Sequence, residues 1–155
     1  MKHWIAVFCL VVANFVQADT YREGDVLIPT VIDDQFGNEL VIDEKTHMLL
    51  FSRDMEGGKV VQQALEKFPQ GELTNRVVYV ADIHQMPLLV AKFVAIPKMQ
   101  DFDFSVGLDR AGEKTAALPG EAEKATLILL DGLTVKQVKL FDKPELLVKA
   151  LATRL

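Results

Sequence analysis

The stretch Ser52-Arg53-Asp54-Met55-Glu56-Gly57-Gly58 places a hydroxyl, a guanidinium, two carboxylates and a glycine pair between the apolar run Leu49-Leu50-Phe51 and a segment of helical periodicity. A helix N-terminus that follows a strand in this way stabilises a thiolate, yet the stretch contains no cysteine. Ser52 is a nucleophile only with a base in hydrogen-bond reach. Of the three histidines, His3 lies in the N-terminal leader, His47 precedes the apolar run and His84 lies beyond the next strand. Ser52, Asp54 and His84 meet only if the C-terminal strand ends converge, where open parallel sheets bind ligands. Asp54 reads more simply as a helix N-cap, its carboxylate accepting from unpaired backbone N–H groups. Arg53 either pairs with Asp54 or Glu56, an exposed pair worth about 0 to 1 kcal/mol, or offers its planar fork to a ligand carboxylate. Gly57 and Gly58 permit close backbone approach, but a glycine pair alone is not a phosphate loop. Ser52, Arg53, Asp54, Met55, Gly57 and Gly58 are therefore candidate ligand-binding residues, and no catalytic set is assigned.

His47-Met48 and His84-Gln85-Met86 combine imidazole with thioether, a donor set that suits Cu(I). The geometry opposes it, because His47 and Met48 are neighbours on a strand and point to opposite faces, and Met is a routine gap-filler in cores. No metal site and no cofactor are expected.

The elements that position these residues follow from periodicity. Val31 to Asp43 alternates apolar and polar residues around Gly37-Asn38, as a short hairpin does, and Thr46 to Ser52 is a compact strand. Val60, Val61, Ala64, Leu65 and Phe68 recur at helical spacing, with Pro69 and Gly71 as stops. Arg76 to Asp82 is dense in Val, as a buried parallel strand is. His84 to Met99 reads as a helix with Pro87 in its first turn and Pro97 at its stop. That segment is apolar nearly all round, so either the loops cover it or it leaves an apolar strip for a partner; Leu89, Phe93, Val94 and Pro97 are the candidate partner-binding residues. A strand is expected through Phe104 and Val106, a turn at Asp109 to Gly112, a hairpin across Asp131-Gly132, and a last helix capped by Asp142 with Leu146, Leu147, Ala150 and Leu151 on its apolar face. Strands alternating with helices and then a late hairpin imply a mixed central sheet with helices on both faces.

The opening MKHWIAVFCLVVANFVQA has an early Lys, an apolar core and small residues before Asp19, the pattern of a secretory signal peptide cleaved after Ala18. Its core is shorter than the roughly 20 residues that span a bilayer, so a cleaved signal is expected over a retained anchor, with no stable membrane span afterwards. Residues 19–155 then form one domain in the periplasm or outside the cell. The single cysteine, Cys9, falls within the leader. Removing Lys2 takes the net charge from −5 to −6, and no basic stripe offsets it, which argues against a nucleic-acid partner.

This order of elements resembles the thioredoxin-like fold, in particular its peroxiredoxin and TlpA-like branch, as a three-layer α/β sandwich with an N-terminal hairpin. The resemblance rests on DDQFGNELVID, MLLFSRDMEGG, FSVGLDRAGEK and KATLILLDG, and extends over nearly all of Val31 to Leu151. The chain also resembles exported YtfJ-type proteins. In that branch the reactive Cys, or a Cys-x-x-Cys pair, would stand within Ser52 to Gly58. Lys124-Ala125-Thr126 stands where the loop proline is usual, and Lys124 corresponds to a basic residue held near the sulfur. The resemblance with its sulfur missing implies an exported, redox-inactive binding or accessory module for a protein partner or small ligand not yet identified. The alternative is a non-redox ligand-binding protein or enzyme that uses the Ser52–Gly58 junction.

Overall fold

The computed structural model describes residues 19–69, 71–73 and 77–154; the expected signal peptide with Cys9, and Arg76 at the expected start of a strand, lie outside the described residues. A five-stranded sheet of order β5-β4-β3-β6-β7 forms the centre. Its strands are β3 (Met48–Ser52), β4 (Val77–Asp82), β5 (Val106–Asp109), β6 (Ala125–Asp131) and β7 (Thr134–Phe141). β3 pairs parallel with β4, and β4 with β5, whereas β6 runs antiparallel to both β3 and β7. β3 is buried along its whole length, as a central strand covered on both faces must be. The β6–β7 loop has a positive φ at Gly132 alone, the pattern of a type II′ hairpin turn.

Alternation along the strands divides the core in two. Met48, Leu50, Tyr79, Ala81, Val106, Leu108 and Leu127 face one side, where they pack with Val60, Val61, Ala64 and Leu65 of α1 (Met55–Leu65) and Leu147 and Leu151 of α4 (Pro144–Ala152). Leu49, Phe51, Val80, Ile128 and Leu130 face the other, against Leu27, Leu118 and the ribbon of β1 (Thr30–Asp33) and β2 (Glu39–Ile42). Both clusters fall within residues 27–151.

The described helices all pack on the first face, while the ribbon and the 110–120 loop form the layer on the second, where a further helical layer was expected. Successive crossovers from β3 to β4 to β5 step in one direction, and crossovers of one hand then land on one face.

Four helix boundaries differ from expectation. α1 ends at Leu65, short of Phe68, and the middle helix begins at Leu88 with Pro87 as its cap, four residues beyond His84. Pro97 does not stop the middle helix, which runs through α2 (Leu88–Val90), a π-helical turn (Ala91–Ala95) and α3 (Ile96–Gln100). The Ile96 N–H bonds to the carbonyl of Ala91, five residues back, and this wide turn relieves the clash that a proline ring makes with a normal helical turn. Asp142 does not cap α4; with Pro144 in the first helical position, Lys143 is the cap and contributes no side-chain bond. Leu146 lies exposed, while Leu147 and Leu151 form the packed face. The middle helix is tied down at its C-terminal end by buried Gln35 of the β1–β2 turn. Its amide donates to the carbonyls of Met99 and Phe104 (3.1 and 2.8 Å) and accepts from Val106 N–H at 2.8 Å.

Candidate functional site

Ser52 ends β3, and α1 begins three residues later, so the expected strand-to-helix corner is present. Asp54 caps the helix: Oδ1 accepts from Gly57 N–H at 2.8 Å. Its Oδ2 accepts from Glu123 N–H at 2.7 Å, which joins the corner to the turn before β6. Glu123 holds a left-handed φ of +64° there. Gly57 lies so close to that turn that a Cβ would stand 2.4 Å from the Lys124 carbonyl oxygen. Lys124 thus reaches the corner through its backbone. Its ammonium bonds Glu121 at 2.6 Å, and this hydrogen bond, then the carboxylate's charge, holds its pKa above the ordinary lysine value.

The remaining candidates are divided by the sheet. Buried Ser52 Oγ lies 2.7 Å from Tyr79 OH on the helical face, and burial pushes the Tyr79 phenol up to about 12 against the lowering effect of that bond. Arg53 turns the other way. Its Nη2 donates to the Leu118 carbonyl at 2.8 Å, Nη1 stands 3.7 Å from Asp82 Oδ2, and the guanidinium lies 5.0 Å from the Phe51 ring centroid. Arg53 therefore pairs with Asp82, and Asp54 and Glu56 take other partners: Glu56 forms its ion pair with Lys59. His84 Nδ1 lies 2.6 Å from Asp82 Oδ1, which also accepts from His84 N–H, so His84 is held by Asp82. Ser52, Asp54 and His84 do not converge on one another: each is bonded to a different partner. Among the described residues no group of three or more His, Cys, Asp or Glu could hold a metal ion.

Sequence reasoning passed over Tyr79 and Asp82. A tyrosine within a run of valines, and an Asp-x-His at a strand's C-terminal end, where Asp commonly bonds the backbone two residues on, were the available signals.

Beside the corner, between α1 and the middle helix, lies a cavity of about 200 Å³. Ser52 and Tyr79 line it, with Met55, Met86, Met99, Val90, Val94 and Phe102 supplying apolar walls. Two hydroxyls carry two protons and their mutual bond uses one, so one buried O–H has no acceptor among the described residues. The outer face of the middle helix is open: Leu88, Leu89, Phe93 and Val94 are 77, 69, 66 and 62% exposed, and Pro97 is exposed as well.

No protein-family model matches the chain, and no curated protein matches it. Solved structures do. A peroxiredoxin-like protein from Aquifex aeolicus is 12% identical with a TM-score of 0.56, covering 90% of this chain and 91% of that one. Peroxidoxin BcpB from Mycobacterium tuberculosis is 18% identical with a TM-score of 0.55, covering 84% and 94%. The thioredoxin domain of a thiol-disulfide oxidoreductase from Bacteroides vulgatus is 13% identical with a TM-score of 0.56, covering 87% and 99%. At these identities the likeness is one of fold: the chain has a thioredoxin-like fold shared with peroxiredoxin-like structures, and no cysteine stands at its strand-to-helix corner.

Proposed function

We propose that this chain is an exported, redox-inactive thioredoxin-fold protein that acts as a binding or accessory module and meets its partner through the outer face of the middle helix. The observation that carries this reading is an exposed apolar face, Leu89, Phe93, Val94 and Pro97, beside a corner with no cysteine thiol to react. Monomeric proteins seldom expose contiguous apolar surface without a use for it. Leaving Leu89 and Phe93 two-thirds open forgoes most of the roughly 1.5 to 3 kcal/mol that burying each would contribute. The rest of the corner is rigidly bonded within the protein, as expected of a scaffold. The decisive experiment is Phe93→Asp in a protein shown to remain folded. Loss of partner capture from the exported fraction, or a change in oligomeric state, supports the reading; an unchanged result on both counts removes it. Insulin-reduction activity in the processed chain would contradict the redox-inactive part.

A second reading, a small-ligand site at Ser52–Gly58, is favoured by the spare hydroxyl proton facing the apolar cavity. An apolar cavity of about 150 Å³ suffices for a benzene-sized molecule, so this one admits a small ring or short chain bearing one acceptor. The double variant Ser52→Ala/Tyr79→Phe keeps the apolar walls and removes both hydroxyl protons, whereas Tyr79→Phe alone would leave the Ser52 proton free to donate. The double variant should weaken binding of an acceptor-bearing aromatic probe such as acetophenone and leave benzene binding unchanged.

A further inference from the structure

We infer that the partner of the middle helix is an anionic lipid surface, on which the helix lies flat; this rests on the reading that its outer face is the docking face. The helix has two opposed rows at spacings of four residues. Ala91, Ala95 and Met99 turn inward, Ala91 fully buried and the other two partly, while Leu89, Phe93 and Pro97 form the exposed row. Val90 and Val94 extend the exposed row toward Met55, itself 58% exposed, across the mouth of the cavity. The helical part of this face, residues 88–98, offers no side-chain hydroxyl, amide or carboxylate, the directional groups that give a protein interface its specificity; Ser52, Asp54, Gln62 and Tyr79, which carry such groups, line the cavity behind it.

Its charges have the matching arrangement. Residues 88–100 contain two ionisable side chains, Lys92 and Lys98, in a chain where acids outnumber bases 22 to 17. Lys98 continues the Val90–Val94 row at the four-residue spacing on one flank, and Lys92 borders the Leu89–Phe93 row on the other, with its ammonium 5.5 Å from the Phe93 ring centroid. Neither lysine forms an ion pair among the described residues. Lysines bordering an apolar strip bury their stems and keep their ammonium groups at headgroup level, which is the pattern of a helix lying in a membrane interface. No helix among the described residues is long and apolar enough to cross a membrane, so the contact is one of surface seating.

The test is partition of the 19–155 chain, which contains both core clusters, onto phosphatidylcholine vesicles with and without phosphatidylglycerol, read by co-flotation at low and high salt. Binding should require the anionic lipid and weaken with salt. It should fall by about tenfold or more in Phe93→Asp, and by roughly fivefold each in Lys92→Gln and Lys98→Gln. Ile28→Asp, which alters an exposed apolar residue elsewhere on the molecule, is the control and should bind as the parent does. Leu89→Asp repeats the test should Phe93→Asp fail to fold. Absence of binding to the anionic vesicles, or binding indifferent to Phe93 and Leu89, overturns the inference. If vesicle binding is absent while Phe93→Asp still abolishes capture of a soluble partner, the lipid inference falls and the docking-face reading stands; if both are absent, both fall.

Discussion

Gly57→Ala tests whether the corner and the turn before β6 are held in direct contact. Gly57 is the third residue of α1, buried, with its N–H on Asp54. An added Cβ would lie 2.4 Å from the Lys124 carbonyl oxygen and 2.9 Å from its carbon, both main-chain atoms that no rotamer change can move. Either the helix start or the turn must retreat, which stretches the 2.7 Å bond from Glu123 N–H to Asp54. Overpacking of this kind costs about 1 to 3 kcal/mol, and weakening a hydrogen bond to a carboxylate adds a further part of its roughly 1.5 to 3 kcal/mol. Against this, alanine in a helix is favoured over glycine by about 1 kcal/mol. The net expectation is a loss of about 1 to 3 kcal/mol. Gly58→Ala is the internal control, because its Cβ meets Tyr79 OH at 3.4 Å and Ser52 Oγ at 3.6 Å, ordinary contacts. It keeps the propensity gain and should be neutral or more stable by up to about 1 kcal/mol. Urea unfolding followed by circular dichroism, with equal slopes for the two variants, reads the difference directly. A Gly57→Ala protein as stable as Gly58→Ala would refute the contact and the docking of the turn on the corner.

Three further outcomes follow from the same bonds. Asp54→Ala removes a helix cap and the acceptor for Glu123 together and should lose about 2 kcal/mol or more, whereas Asp54→Asn keeps one acceptor and should lose about half of that, by the same unfolding assay. Tyr79, held up to about 12 by burial, stays neutral in the folded protein above pH 10, where the unfolded phenol ionises. Its contribution is intact below the unfolded value of 10.0 and is lost as pH rises toward 12, a fall of about 2 to 3 kcal/mol; tyrosinate absorbance in a Tyr21→Phe background should titrate late, and a titration at the ordinary value would contradict the burial. Arg53→Met leaves the buried Asp82 carboxylate with only His84 beside it, and should destabilise more than the double variant Arg53→Met/Asp82→Asn, since an uncompensated buried charge costs more than a missing pair.

Much of the framework was legible because it depends on local pattern. The apolar spacing of Val60, Val61, Ala64 and Leu65, preceded by Asp54, placed α1 and its cap. Asp131-Gly132 placed the last hairpin. What was illegible depends on contacts distant in sequence. Gly57 looked like a residue easing the start of a helix, and the reason for it is a carbonyl 67 residues on, at Lys124. Ser52 bonds Tyr79 because the β3–β4 register sets Ser52 beside Ala81, two residues beyond Tyr79 on the same face. For Arg53 the sequence leaves open a local pair with Asp54 or Glu56 and a ligand carboxylate; in the structure it reaches across to Asp82 of β4, since the alternation of side chains sends it to the face opposite Ser52. Pro97 reads as a stop only under regular α-helical bonding, and the π turn before it removes that condition.

The distribution of satisfied and unsatisfied groups bears on function more than any single residue does. At the corner nearly every polar side chain is committed: Asp54 to two N–H groups, Arg53 to Leu118 and Asp82, His84 to Asp82, Lys124 to Glu121. A group bonded in this way is held in one geometry and must break a bond before it can move a proton or bind an incoming anion, which is the wrong starting state for catalysis by those residues. Apart from the spare hydroxyl proton of the Ser52–Tyr79 pair and the buried Asp82 Oδ2, which accepts no hydrogen bond among the described residues, the free energy left unrealised lies along the middle helix, in apolar side chains open to water and two lysines with no ion pair among the described residues. Such a surface gains from contact without prior rearrangement, because its backbone is already helical and its inner row is already packed. Binding there would therefore cost little ordering entropy, and its strength would be set by Leu89, Phe93 and Val94, with the Ser52–Gly58 corner serving as the rigid support that keeps α1 and the cavity wall in place beneath them.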